Sequence, residues 1–131
     1  MPGELTIWTH SFDVAADLST FSNRLVKLSA GKTVNVCGAN EKAIGLLQNA
    51  KDCTAAGRPA AVLILGIGMV TVNANSPNIA AGDYIESGAN GVGVQSATDK
   101  NNSIGIALEA ASADGVQIEV NSYREIGRAH V

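Results

Sequence analysis

The chain has 131 residues and a mass of 13.4 kDa, the size of one ordinary domain that can hold its own hydrophobic core. With 46% hydrophobic and only 16% charged residues, the composition excludes a disordered or solvating protein. A net charge of −3 without a Lys/Arg cluster, no long apolar run and no secretory signal predict a soluble domain made inside a cell, with neither nucleic acid nor membrane as partner.

The first segment, residues 1–22, is predicted to be a separate N-terminal arm. Three of the five aromatic residues of the chain lie in it, whereas the core of the remainder consists of Val, Ile, Leu and Ala. Ser11 can cap a short helical turn that runs through Val14 and Leu18, with Asp13 favourably placed in the first turn. This pattern predicts a helical turn in the arm.

The same arm is the predicted contact site, carried by Leu5, Ile7, Trp8 and Phe12. Leu5 and Ile7 alternate as in a strand that adds to the sheet edge of a neighbour. Aromatic residues are enriched at interface cores, where a Trp often carries a large share of the binding energy. These residues are expected to contact a partner protein or another subunit; in the alternative interpretation the arm folds back onto its own domain.

Residues 23–123 have the pattern of a β domain. Short apolar or alternating runs are separated by Gly, Asn, Asp and Pro turns, and occur at 25–28, 33–36, 61–65, 69–72, 83–86, 91–95, 104–108 and 116–120. The predicted fold class is therefore all-β, a small β-barrel or β-sandwich of short strands, with no helix longer than about three turns. The segment 41–49 has helical propensity, but we interpret it as a strand followed by a turn, like 103–109.

A weak internal repeat suggests two related halves. At an offset of 60, seven pairs of residues match: Leu25 with Ile85, Gly31 with Gly91, Val34 with Val94, Ile44 with Ile104, Gly45 with Gly105, Leu46 with Ile106, and Ala50 with Ala110. Beyond them the register slips, so that 62–64 matches 116–118 only after a gap. Duplication predicts two similar β units with Ala61 to Val72 as a strand pair between them; chance similarity in an Ala/Gly/Val-rich chain is the alternative.

The last residues, 124–131, are predicted to lie outside the fold. They follow the natural end of a strand at Val120, and Ile126 to Val131 has no clear period. This string resembles the translation of a common sequencing-adapter sequence. It is therefore interpreted as an artefact of gene assembly or as an ordinary polar tail.

Catalytic and cofactor motifs are missing from the sequence. His10 and His130 neighbour no nucleophile in a recognisable motif, so His10 is interpreted as a surface or packing residue rather than a general base. Gly66 and Gly68, and likewise Gly91 and Gly93, form Gly-x-Gly pairs without a third glycine at dinucleotide spacing; they suit strand bends better than a phosphate site. The prediction is a protein that is not an enzyme and has no cofactor.

No metal site is predicted either. Cys37 and Cys53 lack two further ligands at suitable spacing; a disulfide between them is possible in geometry, but a cytoplasmic product starts reduced, and both are predicted to be dispensable. Four acidic residues lie at predicted strand ends and turns, where solvated carboxylates are expected: Glu86, Glu109, Asp114 and Glu119.

Three short segments follow one another between Ala60 and Val120: Ala81-Gly82-Asp83 before a strand, Ile104-Gly105-Ile106-Ala107-Leu108-Glu109, and the final strand from Asp114 to Val120. In these segments and their order the stretch resembles the capsid decoration, or cement, proteins of tailed bacteriophages. The aromatic arm has no counterpart in the shared motifs. The family implies a small β-barrel-like fold, binding to the outside of an icosahedral shell, often as trimers, and no catalytic residues.

Two functions from different classes are therefore expected. The first is a structural virion protein, made in the host cytoplasm, that binds the capsid exterior as a homotrimer, with the major capsid protein as its partner. The alternative is a non-catalytic carbohydrate-binding β module on a phage or cell surface. Such sites use exposed aromatics on a β surface, and the β domain offers only Tyr84 and Tyr123.

Overall fold

The described part of the chain is an all-β structure, as predicted. A computed structural model describes residues 5–39, 41–75, 77–96 and 102–122, with the backbone alone for residues 5–7. The 3₁₀ turns Ala50–Asp52 and Ala89–Gly91 lie in these ranges, which contain no α-helix and therefore no helix that could cross a membrane. The described strands are β1 Leu5–Val14, β2 Leu25–Ala30, β3 Thr33–Val36, β4 Gly45–Leu47, β5 Pro59–Asn73, β6 Tyr84–Ser87, β7 Gly93–Gln95, β8 Gly105–Ala107 and β9 Asp114–Ser122.

The strands form two closed five-stranded circuits that share the long strand β5. The first circuit runs β1-β3-β2-β4-β5 and closes because β1 also pairs with β5. The second runs β5-β7-β6-β8-β9 and closes through the pairing of β9 with β5. We call them the first unit and the second unit; β5 contributes its N-terminal half to the first and its C-terminal half to the second.

The two units have the same connectivity and the same register. In each, the first strand pairs in parallel with the third and antiparallel with the fifth. Corresponding pairs are Val14–Val34 and Val72–Gly93, Val26–Val36 and Ile85–Gln95, Val26–Gly45 and Ile85–Gly105, Leu47–Val62 and Ala107–Val120, and His10–Val62 and Gly68–Val120. The chain therefore contains two copies of one β unit, as the repeat suggested.

The alignment of the copies corrects the predicted offset. Corresponding residues are 58 apart in β1 (14 to 72), 59 in β2 (26 to 85) and 60 in β4 (45 to 105). The connection from Leu47 to Val62 is two residues longer than that from Ala107 to Val120, so Val62 corresponds to Val120 and not to Val116. A constant offset of 60 is therefore right only around β4 and β8.

Each unit has its own apolar core, and the core of the second unit also receives side chains from the first. Val14, Val26, Val34 and Val62 fill the first core. The second core contains three outward-facing leucines of the first unit, together with inward residues of β5 to β9: Leu25, Leu46 and Leu63 with Val70, Val72, Ile85, Ile118 and Val120. The units thus pack directly on each other and are not separate domains.

Several predicted elements differ from the structure. The predicted helical turn at Ser11 is wrong: the chain is a strand through Val14, because β1 pairs with β5 from Leu5 to Asp13. The described part of the predicted arm, residues 5–22, contributes Val14 and Leu18 to the first core. The predicted strand pair between the halves is a single strand of 15 residues. Tyr123 and the predicted tail lie outside the described residues.

Candidate functional site

The predicted contact residues lie along β1, where a row of rings leads from the core to the surface. Alternate residues of a strand share one face, and the rings of Trp8, His10 and Phe12 follow one another. The Trp8 and His10 ring centroids are 6.5 Å apart and those of His10 and Phe12 4.9 Å apart, both edge to face. Phe12 packs on the first core, and Val14 lies inside it. The row is therefore anchored at one end and open at the other.

Trp8 is the open end of this row. Its side chain is 49% exposed, one of four large apolar side chains exposed in the described ranges, with Leu28, Leu108 and Val116. Leu28 lies on the β2–β3 hairpin, Leu108 directly follows β8, and Val116 is the third residue of β9. An indole offers a large apolar area together with one hydrogen-bond donor, and at Trp8 about half of that surface is accessible.

The other two predicted contact residues are placed by their backbone. Leu5 pairs with Ile67 of β5, and Ile7 lies at a register shift between Thr6 and Trp8. A further shift follows between Trp8 and Thr9. Such β-bulges re-aim side chains next to functional sites. The four predicted residues are thus on one strand, and that strand belongs to the sheet of its own chain.

His10 was interpreted from the sequence as a surface or packing residue, and its place in the ring row was missed. It lies between Trp8 and Phe12 with its side chain exposed. The signal that could have found the row is the spacing of positions 8, 10 and 12, which is the period of a strand. The competing helical pattern at Ser11 hid it.

Both cysteines are buried free thiols. Cys37 and Cys53 are 1% and 0% exposed and are not bonded to each other. Their Sγ atoms lie 3.5 Å from the carbonyl oxygens of Glu41 and Asn49, respectively. Burial is the main cause that raises the pKa of each thiol. Because the thiolate is the nucleophile and the metal ligand, both side chains suit packing.

The acidic side chains at strand ends are used in local hydrogen bonds. Glu86 accepts from the Ser96 hydroxyl at 3.1 Å, and Asp114 accepts from the backbone N–H of Asn75 at 3.2 Å. Glu109 accepts from the backbone N–H of Glu119 at 2.9 Å. Among the residues whose placement is described, no three His, Cys, Asp or Glu side chains form a group that could hold a metal ion.

The Glu109 bond has a counterpart in the first unit. There Asn49 Oδ1 accepts from the backbone N–H of Ala61 at 2.7 Å. Position 49 corresponds to 109 and position 61 to 119 in the alignment of the two units. In both units a loop side chain therefore accepts a hydrogen bond from the backbone of the last strand, which gives Glu109 a structural role.

Comparisons with known proteins point to the fold. No family model matches the chain, and no curated protein sequence matches it. Among solved structures, the chain is similar to the N base of the head fiber gp8.5 of bacteriophage phi29, with a TM-score of 0.58 and 15% sequence identity. The match covers 88% of this chain and 92% of that chain, so both units take part in the likeness.

Proposed function

We propose that this protein is a structural component of a bacteriophage virion that binds the outer surface of an icosahedral capsid and stabilises it. The observation that carries the proposal is the fold shared with the phi29 head fiber base over 88% of the chain. The sequence resemblance to capsid decoration proteins supports it independently, because it rests on segments between Ala60 and Val120. The proposed partner is the major capsid protein, and the active form is a homotrimer.

The stabilisation needs no chemistry. A protein that binds only the assembled shell stabilises that shell by mass action, by about 2.7 kcal/mol per site at a hundredfold excess over its dissociation constant. Many symmetric sites multiply this contribution over the particle. In a trimer each copy contacts a different capsomer, and the linked contacts gain avidity.

Apolar contacts suit this role better than ion pairs. The net charge is only −3, and the described chain has one salt bridge, between Lys27 and Glu41, within a single copy. Of the contact residues Leu5, Ile7, Trp8 and Phe12, Trp8 has a described side chain that is about half exposed. Because salt screens charges and leaves apolar contacts intact, binding is expected to survive moderate salt.

The test uses undecorated shells of a tailed phage, with and without the added protein. Co-sedimentation measures binding, and the temperature at which the shells rupture measures stabilisation. The expected result is saturable binding that persists in moderate salt and raises the rupture temperature. Unchanged rupture of fully decorated shells, or release of the protein by moderate salt, would refute the cement mechanism.

The carbohydrate-binding alternative has one observation in its favour. Trp8 and His10 form an exposed pair of rings on a β surface, and sugars stack on such rings. A glycan-binding screen with the wild type and Trp8→Ala separates the two functions. Saturable binding to a glycan that is lost in Trp8→Ala, with no binding to shells, would favour the module.

A further inference from the structure

The contact between the two units uses two distinct surfaces. One is an outward row on the first unit, in which Leu25 pairs with Leu46 and Leu46 with Leu63 across three strands. Directly paired residues project on the same side of a sheet, and these three side chains are at most 2% exposed. They lie in the core of the second unit. We call this the docking row.

The other is a receiving surface on the second unit, at the point where β5 enters it. Gly68 faces the docking row: a side chain there would meet the methyl groups of Leu46 and Leu63. Gly66, two residues earlier on the same strand, has φ +132°, a conformation that favours glycine. The lack of a side chain at Gly68 lets the leucines of the first unit approach the strand.

Because the units are copies, each surface has a counterpart. The docking row corresponds to Tyr84, Ile106 and Asn121, which pair with one another across β6, β8 and β9. Asn121 is exposed and Ile106 only partly buried. This second row therefore lies at the surface of the described chain, whereas its counterpart in the first unit is buried.

The receiving surface also has a counterpart. Gly68 corresponds to His10 by register, since they pair with Val120 and Val62, respectively. Trp8 adjoins His10 on β1 across a register shift, and the centroids of the two rings are 6.5 Å apart. His10 and Trp8 are both exposed. The ring row of β1 thus occupies the position where the second unit receives the first.

We propose that a second copy of this chain docks here, with its Ile106–Asn121 row on the Trp8–His10 surface of the first copy. The contact repeats between copies the arrangement that joins the two units within one copy. The surfaces suit each other chemically, because an Asn carbonyl accepts a hydrogen bond from an indole N–H and Ile supplies apolar area to the ring. Because the two surfaces differ, the copies associate head to tail. Such an assembly closes into a ring when the rotation from one copy to the next divides a full turn evenly, and otherwise it extends as a filament.

The inference concerns the free protein and does not depend on a capsid. Sedimentation velocity over a range of concentrations measures self-association of the wild type, Trp8→Glu, Asn121→Glu and the control Leu28→Glu. Leu28 is 51% exposed, on the β2–β3 hairpin. We expect Trp8→Glu and Asn121→Glu to weaken self-association at least tenfold, and Leu28→Glu to change it less than twofold.

Mixing the two weakened variants is the decisive step. Trp8→Glu keeps an intact Ile106–Asn121 row, and Asn121→Glu keeps an intact Trp8–His10 surface. One undamaged contact therefore remains possible between the two variants. An equimolar mixture is expected to give a heterodimer and nothing larger, because the two surfaces left over are both damaged and both negatively charged. A symmetric contact would not be restored by mixing.

Circular dichroism confirms the fold of each variant, and Trp8→Ser and Asn121→Lys replace any Glu variant that unfolds. The inference is overturned if the wild type stays monomeric at the highest concentration, if either variant associates like the wild type, or if the mixture forms no heterodimer. Because no shell is present, these outcomes say nothing against capsid binding, and failure of the capsid assay says nothing against this contact.

Discussion

The contact between the two units can be tested by changing the space at Gly68. In Gly68→Ala the added methyl would lie 2.7 Å from Leu46 Cδ2 and 2.8 Å from Leu63 Cδ2. The best separation of two carbons is about 3.5–4.0 Å. Both leucines are buried, at 2% and 0% exposure, so neither can move into solvent. We expect the substitution to lower the free energy of unfolding by about 1–3 kcal/mol.

The cause is isolated by removing the opposing side chain. Leu46→Ala alone leaves a cavity and is expected to lower the free energy of unfolding by about 2–5 kcal/mol. In the double variant, the methyl of residue 68 no longer meets Leu46 and fills part of the cavity. The double variant should therefore be more stable than the sum of the single effects predicts, by about 1–2 kcal/mol, within the usual range for residues in contact.

Urea unfolding followed by circular dichroism measures all four proteins. Gly31→Ala is the matched control, because nothing lies within 4 Å of the added methyl, and it should leave stability unchanged or raise it by up to about 1 kcal/mol. Additivity of Gly68→Ala and Leu46→Ala to within about 0.5 kcal/mol would show that the two positions do not touch, and would refute the packing of the units described above.

Three further outcomes follow from buried and hydrogen-bonded side chains. Burial raises the pKa of Cys37 and Cys53, so a thiol reagent should label both only after unfolding, and their contribution to stability should fall as pH rises above about 8.5. Replacing either with Ser should lower stability by about 1 kcal/mol without changing the oligomeric state. The hydrogen bond from Lys27 lowers the pKa of Glu41. The stabilisation of the fold by this pair is present above pH about 4.3 and is lost as the pH falls through the lowered pKa. It should vanish in Glu41→Gln, and urea titrations at each pH measure it. Asn49→Ala removes the acceptor of the Ala61 N–H and should lower the free energy of unfolding by about 1–3 kcal/mol; Asn49→Asp keeps that acceptor but loses the Nδ2 donor to the Pro59 carbonyl oxygen, so it should recover only part of the loss in the same assay.

The strands that were predicted correctly are those whose pattern is local. Thr33–Val36 alternates polar and apolar residues in the sequence, so that the period of two is visible, and its Val34 is buried. β1 was not predicted over its full length, because its partners on β5 are about 50 residues away along the chain. Its polar residues Ser11 and Asp13 face solvent and resemble a helix cap when only neighbours are considered.

The glycines of β5 misled the prediction for a related reason. Gly66 and Gly68 suggested a break between two strands, but they lie within one strand, and Gly68 is required by the leucines that approach from the other unit. Only the packed structure reveals that requirement. Of the predicted contact residues, Trp8 and Phe12 are in the ring row, and their role in a contact stays a prediction. The surface across Ile106 and Asn121 has no local pattern in the sequence, because it depends on the pairing of strands that are distant along the chain.

The shared strand β5 also sets the order in which a chain leaving the ribosome can fold. The first unit can close once the N-terminal half of β5 has emerged. The other half must wait for β9, since Asp114 is made 41 residues after its partner Asn73 (114 − 73). At about 5–20 residues per second this delay is about 2–8 s. During this delay the nascent chain exposes an unpaired apolar edge, with which adjacent chains on one polysome can pair. Truncation of the chain before β9 makes this exposure permanent and should favour aggregates over soluble protein.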